Sequence, residues 1–194
     1  MKYKRIIAYL VDMILICAVA LIISNLLHNK NIDVLMVEMN TLNSDLFSKK
    51  VNIVTYFNHY SDVIRDIDRQ KILINFIVVT IMFGYFVILP FKNKGQTLGK
   101  MIMKIRVTKK EEITVLDYVI RSFLINGILY MIIILICACI LPAFSYFLTV
   151  SILGFIQIIL VISSAFMILY KKNERSLEDI ITKSEIVFID EVKK

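Results

Sequence analysis

Asp12 is the residue in this chain that most needs a chemical explanation. It stands alone in an apolar stretch that runs from about Ile6 to Leu27. A carboxylate well inside a membrane-crossing helix costs roughly 2.5–3.5 kcal/mol on insertion scales, so such a group faces the protein interior and finds partners there. Measured from Arg5, Asp12 lies seven residues deeper, about 10 Å along a helix. Seven residues also place the two on nearly the same helical face. Helical side chains lean toward the N-terminus, so Asp12 leans toward Arg5 while Arg5 leans away. A link through a third group or a water is therefore expected rather than a direct pair. Further charge lies near the other end of the chain, where Arg175 and Asp179 stand four apart. They could pair along a helix, or Asp179 could fold back on Arg5 or Arg121. The structural reading is a charge cluster pinning helix ends. The functional reading is a cation or proton site around Asp12, which Arg5 opposes by repulsion.

Other chemistries find less support. Gly95-Gln96-Thr97-Leu98-Gly99-Lys100 has two glycines and a lysine. A phosphate loop needs four residues between the glycines and a Ser or Thr after the lysine. Here three intervene and Met101 follows, so nucleotide binding is not expected. Cys17, Cys137 and Cys139 all fall in apolar runs and read as small buried apolar residues, not as disulfide partners or metal ligands. His28 and His59 are too far apart for a helical metal pair. No nucleophile–base pair is evident, so no enzyme chemistry, cofactor or metal is expected.

The elements that must position Asp12 are membrane helices. Of 194 residues, 58% are hydrophobic and they are gathered in long runs, unlike the dispersed pattern of a soluble domain. A span needs about 20 mostly apolar residues. Four segments qualify, at about 6–27, 72–91, 123–141 and 144–170. We expect an all-α polytopic membrane protein forming one domain over 1–194, with four transmembrane helices in the lipid bilayer. Pro142 calls for a tight turn, making the last two spans antiparallel neighbours. Lys2, Lys4 and Arg5 before an apolar run imitate a signal peptide. The run continues past Ala18-Val19-Ala20, so it reads as an uncleaved anchor.

The net charge of +7 could suggest nucleic acid. Its placement beside the spans points instead to membrane orientation, and no nucleic-acid partner is expected. The N-terminal stub, the loop at about 92–122 and the tail at about 171–194 are rich in Lys and Arg. The loop at about 28–71 carries six bases and six acids. Both termini are therefore expected in the cytoplasm. In the outer loop, Ile32, Leu35, Met36, Met39, Leu42 and Leu46 recur at helical spacing, predicting an amphipathic surface helix. It reads as a cover for the bundle; a ligand platform with His28 and His59 as pH sensors is the competing reading. Ser61-Asp62 reads as a helix start running on into the second span. Met101–Val107 alternates partly and reads as extended. Val115–Arg121 predicts an interfacial helix before the third span. Asn75, Thr80, Asn126, Gln157, Ser163 and Ser164 can hydrogen-bond between helices, and Gly84, Gly127 and Gly154 permit close packing.

Several of these residues together resemble a known family. Arg5-Ile6-Ile7-Ala8-Tyr9-Leu10-Val11-Asp12 is similar to the opening of the RDD family of bacterial membrane proteins, named for one arginine and two aspartates. Gly95-Gln96-Thr97-Leu98-Gly99-Lys100, followed by Ile105-Arg106-Val107, resembles its inner-loop signature. Arg121 falls where that family often has an arginine. Leu177-Glu178-Asp179 then Ile186-Val187 resembles its closing segment. By this resemblance Arg5, Asp12 and Asp179 form the naming triad. Glu178 stands where a histidine is common, and Lys183-Ser184 replaces a Gly-Thr step. The resemblance implies a bacterial plasma-membrane location and permits cation–proton antiport. Two functions from different classes follow as expectations. One is a small transporter or transport accessory using Asp12, oligomeric and moving a monovalent cation or proton. The other is a non-transporting protein that assembles, stabilises or protects a partner membrane protein.

Overall fold

A computed structural model describes residues 2–189. The far end of the expected tail, 190–194, lies outside the described residues. The chain opens with α1 (Lys2–Leu26), the first apolar run. A helical hairpin follows, α2 (Lys30–Phe47) and α3 (Ile53–Gln70). Leu42 of α2 is buried against Val63 and Ile67 of α3, with Leu35 and Met39 beside them. This is the amphipathic cover that the spacing predicts. Met36 of that stripe is exposed. His28 pairs with Asp33 at 2.9 Å and His59 with Glu38 at 2.8 Å, both at the surface.

Helix α3 starts earlier than Ser61. Asn52 caps it, its side chain accepting from the Thr55 amide at 2.8 Å. Ser61 lies inside the helix and turns its hydroxyl onto the Asn58 carbonyl at 2.7 Å. The Asn52 cap wins because the apolar face that needs burying already begins at Tyr56. Only Lys71 separates α3 from α4 (Ile72–Phe83), and the amide ladder runs through it, so the near-continuous rod is present.

From α4 the chain passes through a π-helical turn, Gly84–Ile88, into α5 (Leu89–Lys92). Pro90 has no N–H to give the Phe86 carbonyl. Ser122 supplies a donor instead, its hydroxyl lying 3.3 Å from that oxygen. Next come α6 (Leu98–Ile102) and β1 (Ile105–Lys109). Helix α7 (Val115–Ile125) is started by Thr114, whose amide donates to Asp117 at 2.9 Å. It is the expected amphipathic helix before the third span.

The third span itself is not a straight helix from residue 123. Gly127 adopts φ +73, and α8 (Ile128–Ile140) leaves α7 at 70°. A left-handed residue ends one helix and re-aims the next. Gly127 therefore makes a bend rather than a close contact. Alone, α8 has 13 residues, about 20 Å, short of the roughly 30 Å of hydrocarbon. Among the described residues, three helices are long and apolar enough to cross a membrane, Lys2–Leu26, Ile72–Lys92 and Ala143–Tyr170, and a fourth span is present if the bent pair counts as one.

Pro142 then turns the chain into α9 (Ala143–Tyr170), with α10 (Leu177–Ile181) and β2 (Ser184–Phe188) after it. Strands β1 and β2 pair antiparallel, Ile105 opposite Phe188 and Lys109 opposite Ser184. The expected extended segment is thus β1, moved toward the C-terminal side of its predicted range.

The outward faces of the long helices remain apolar and exposed, as at Ile14 and Leu21 on α1 and Phe155 and Ile162 on α9. Membrane helices present such surfaces to lipid. Cys17 and Cys139 belong to these outward faces and are exposed, contrary to the buried places read from sequence; Cys137 is half-buried. Thr80 likewise hydrogen-bonds within its own helix, to Phe76, whereas Gln157 reaches the Leu124 and Ile125 carbonyls of α7 at 3.2 Å.

Candidate functional site

The signature residues gather at one end of the bundle, where the start of α1, the α5–α6 loop with α6, α7 and the tail meet. Ala8, Val87, Ile105, Val107, Tyr118 and Ile186 form the apolar core beneath them. Lys2 reaches the Leu169 carbonyl at 2.7 Å and Lys4 lies 4.9 Å from the Phe188 ring centre. The stub, inner loop and tail are therefore on the same side.

Asp12 is buried, 3% exposed. Its Oδ1 accepts from the Tyr85 hydroxyl at 2.5 Å and the Gly99 amide at 2.7 Å. Its Oδ2 accepts from the Thr97 hydroxyl at 2.6 Å. Three donors offset much of the cost of removing the carboxylate from water. Thr97 and Gly99 can deliver them because the loop before β1 is pinned. Gly95 takes φ +86, donates to the Pro90 carbonyl at 2.8 Å and accepts from Val107 at 3.1 Å. Gln96 reaches the Ile105 carbonyl at 2.9 Å. A Cβ on Gly95 would stand 2.3 Å from the Val107 oxygen, and one on Gly99 would stand 2.2 Å from the Ala8 oxygen. Both glycines are there so that backbone can meet backbone. The motif that resembles a phosphate loop is a clasp on α1.

Arg5 does not pair with Asp12. It turns to the tail, where its guanidinium donates to the Glu174 carbonyl, to Asp179 and, at 3.0 Å, to the Ser176 hydroxyl. Asp179 has no exposed surface. Its other oxygen accepts from Arg121 at 2.6 Å, and it caps α10 by accepting from the Ser176 amide at 3.1 Å. Burial alone would raise the Asp179 pKa. The guanidiniums of Arg121 and Arg5, with the Ser176 contact, hold it well below the usual carboxylate range instead. Arg121 also donates to Ser184 and lies 3.9 Å from Glu178, whose other oxygen accepts from Ser164 of α9 at 2.7 Å. Arg175 pairs with Glu185 at the surface, 3.2 Å away, not with Asp179. The local i,i+4 pair loses because Asp179 sits between two buried cations that have no other carboxylate so close.

Between these two clusters lies a cavity of about 130 Å³. Arg5, Asp12, Lys100, Arg121 and Glu178 contribute to its wall, with Ile6, Phe86, Val161 and Ala165 among its apolar members. Burial pushes the Lys100 ammonium down to about 8, and Arg121 repels it; Asp12, Glu178 and Asp179 pull the other way. Among the described residues, no group of three His, Cys, Asp or Glu side chains stands close enough to hold a metal ion.

All of Arg5, Asp12, Asp179, Arg121, Gly95, Thr97, Gly99 and Lys100 come to this one end. Tyr85, Ser176 and Ser184 were not anticipated as partners; Ser164, expected to hydrogen-bond between helices, does so from α9 to Glu178 of α10. The pattern Ser176-x-x-Asp179 is a capping box and could have announced the first contact of Asp179; nothing local announces Tyr85.

No curated protein and no solved structure matches the chain significantly. A family model described as the RDD family matches residues 3–183, nearly the whole chain and every residue of the two clusters except Ser184. With the arginine and both aspartates in these places, the chain belongs to the RDD family of membrane proteins.

Proposed function

We propose that this protein works without enzymatic chemistry, and without moving ions itself, as a membrane protein that assembles, stabilises or protects a partner in the same membrane. One observation carries the reading: both oxygens of Asp12 and both of Asp179 are taken by donors of the chain itself. A transported cation needs acceptors, and here each carboxylate is met by N–H and O–H groups. The triad then acts as a staple. It fastens the start of α1 to the inner loop and the tail and holds a rigid basic face beside the bilayer. By the Lys/Arg rule this face and both termini are cytoplasmic in a bacterial plasma membrane.

Crosslinking and affinity capture from native membranes test the proposal. Recovery of one defined membrane partner, lost when Arg121→Met loosens the face, supports it. Recovery of the chain alone, or only of its own oligomer, sinks it.

A second reading has one observation in its favour, that Asp12 is part of a cavity wall. In it, the protein is a small cation/proton transporter or transport accessory, oligomeric, using Asp12. Proteoliposomes with an internal pH dye separate the two. Proton movement on sodium, potassium or lithium pulses, abolished by Asp12→Asn, establishes transport and removes the first reading.

A further inference from the structure

The polar groups around the cavity do not balance in hydrogen-bonding capacity. Asp12 is satisfied by three donors; one Glu178 oxygen accepts from Ser164 at 2.7 Å and the other stands 3.9 Å from Arg121, beyond hydrogen-bond reach. Donor capacity is left over as well. Lys100 has no hydrogen bond and no ion pair among the described residues, although its ammonium carries three protons. Arg5 is 6% exposed and its Nε is buried with no partner. Lys100 is half-buried in a largely apolar wall; a donor left there without an acceptor is costly, and an anion that reaches it satisfies it.

The rest of the wall is apolar. Ile6 of α1 and Val161, Ala165 and Ile168 of α9 belong to it, and these two helices touch only sparsely. Their outward sides are the exposed apolar surfaces that meet lipid, with Ile7 and Leu10 on α1 and Ile162 and Phe166 on α9. The void therefore lies at the basic end of the bundle, beside helices that acyl chains coat. A cavity of about 150 Å³ takes a benzene-sized molecule. One of about 130 Å³ takes a small headgroup and excludes a polypeptide.

We propose that this cavity binds the phosphate headgroup of an anionic phospholipid, with Lys100 as its donor and the acyl chains leaving between α1 and α9. The proposal is independent of whether the basic face docks a partner. Several charged or titratable groups face Lys100 besides the lipid: Arg5, Tyr9 and Asp12 on α1, Tyr118 and Arg121 on α7, Glu178 and Asp179 on α10. Of these, Asp12, Glu178 and Asp179 keep Lys100 charged, and the phosphate adds to their effect.

The test titrates the delipidated full chain in detergent with short-chain phosphatidylglycerol, short-chain phosphatidylcholine and inorganic phosphate, read by native mass spectrometry. Phosphatidylglycerol should bind at least about tenfold tighter than phosphatidylcholine, and Lys100→Met should remove about tenfold of that affinity, the worth of one charge-assisted hydrogen bond. Lys171→Met, on an exposed lysine away from the cavity, should bind as wild type. Equal binding of the two lipids, or wild-type affinity in Lys100→Met, overturns the proposal. Displacement of phosphatidylglycerol by equal inorganic phosphate overturns the lipid as occupant. Should Lys100→Met fail to fold, the wild type still decides. Its phosphatidylglycerol affinity should fall as pH rises through the Lys100 titration, starting above about 8. A flat affinity across the alkaline range refutes the assignment.

Discussion

Gly99 stands so close to α1 that a Cβ added to it would lie 2.2 Å from the Ala8 carbonyl oxygen and 2.8 Å from Asp12 Oδ1. Neither neighbour can give way, since one is helical backbone and the other is fixed by two more donors. Gly99→Ala should therefore destabilise at or above the upper end of the about 1–3 kcal/mol typical of overpacking. Gly84→Ala is the control. Nothing lies within 4 Å of a Cβ there, and thermal unfolding in detergent should change by no more than about 0.5–1 kcal/mol.

Asp179→Asn should be more severe than Gly99→Ala is for its own cluster. It leaves Arg5 and Arg121 buried beside a neutral amide, and breaking a buried pair from one side costs about 3–5 kcal/mol. Loss of folded protein from size-exclusion chromatography, or a matching fall in chemical-denaturation midpoint, checks this.

The same residue sets an acid limit. The Asp179 pKa is depressed in the folded state relative to the unfolded chain. Its contribution to stability is present in full above the ordinary carboxylate value, about 4. It is lost as pH falls below that value toward the folded one. Melting temperature should therefore drop steeply below about pH 4, and the drop should be shallower in Asp179→Asn measured at the same pH values.

Around Asp12, Thr97→Val and Tyr85→Phe each remove one donor. Each should cost about 1–2 kcal/mol, and the pair should not be additive because they share one carboxylate. A double-mutant cycle on thermal stability measures the coupling; strict additivity would mean that the two hydroxyls do not act on Asp12 together.

Lys183 occupies φ +53, a left-handed conformation, just before the buried Ser184 that accepts from Arg121. The family resemblance places a glycine at this step. A residue with a Cβ is strained there by about 1–2 kcal/mol, so Lys183→Gly should raise stability by up to about 1 kcal/mol once glycine's greater unfolded freedom is counted. A lowered melting temperature would argue against strain at this turn.

Much of the framework was readable from composition, because α1, α4 and α9 are each long apolar runs bounded by charge. The bend at Gly127 was not. Apolar residues continue on both sides of it, so periodicity carries no trace of a 70° change in direction. Ser61 misled because a serine followed by an aspartate marks a helix start only when no better cap lies upstream, and Asn52 does. The clusters divide in the same way. The resemblance brought Arg5, Asp12, Gly99, Arg121 and Asp179 into view, and inspection of the first helix alone predicted that Asp12 must find partners. Which carboxylate meets which donor depended on the fold. Arg5 and Asp12 share a helical face, yet one is claimed by the tail and the other by the loop before β1. Local spacing likewise favoured Arg175 for Asp179, and burial favoured two arginines from far away.

Arg5 and Asp179 are 174 residues apart in the chain. At a synthesis rate of about 5–20 residues per second, roughly 10–35 s pass between the emergence of the one and that of the other. Throughout that interval the first helix is in the membrane with a guanidinium awaiting its counterion, and the clasp on Asp12 closes earlier than the latch on Arg5. Biogenesis therefore has a fixed order, with the last segment translated being the one that locks the first. A ribosome that stops before residue 179 releases a threaded but unlatched intermediate.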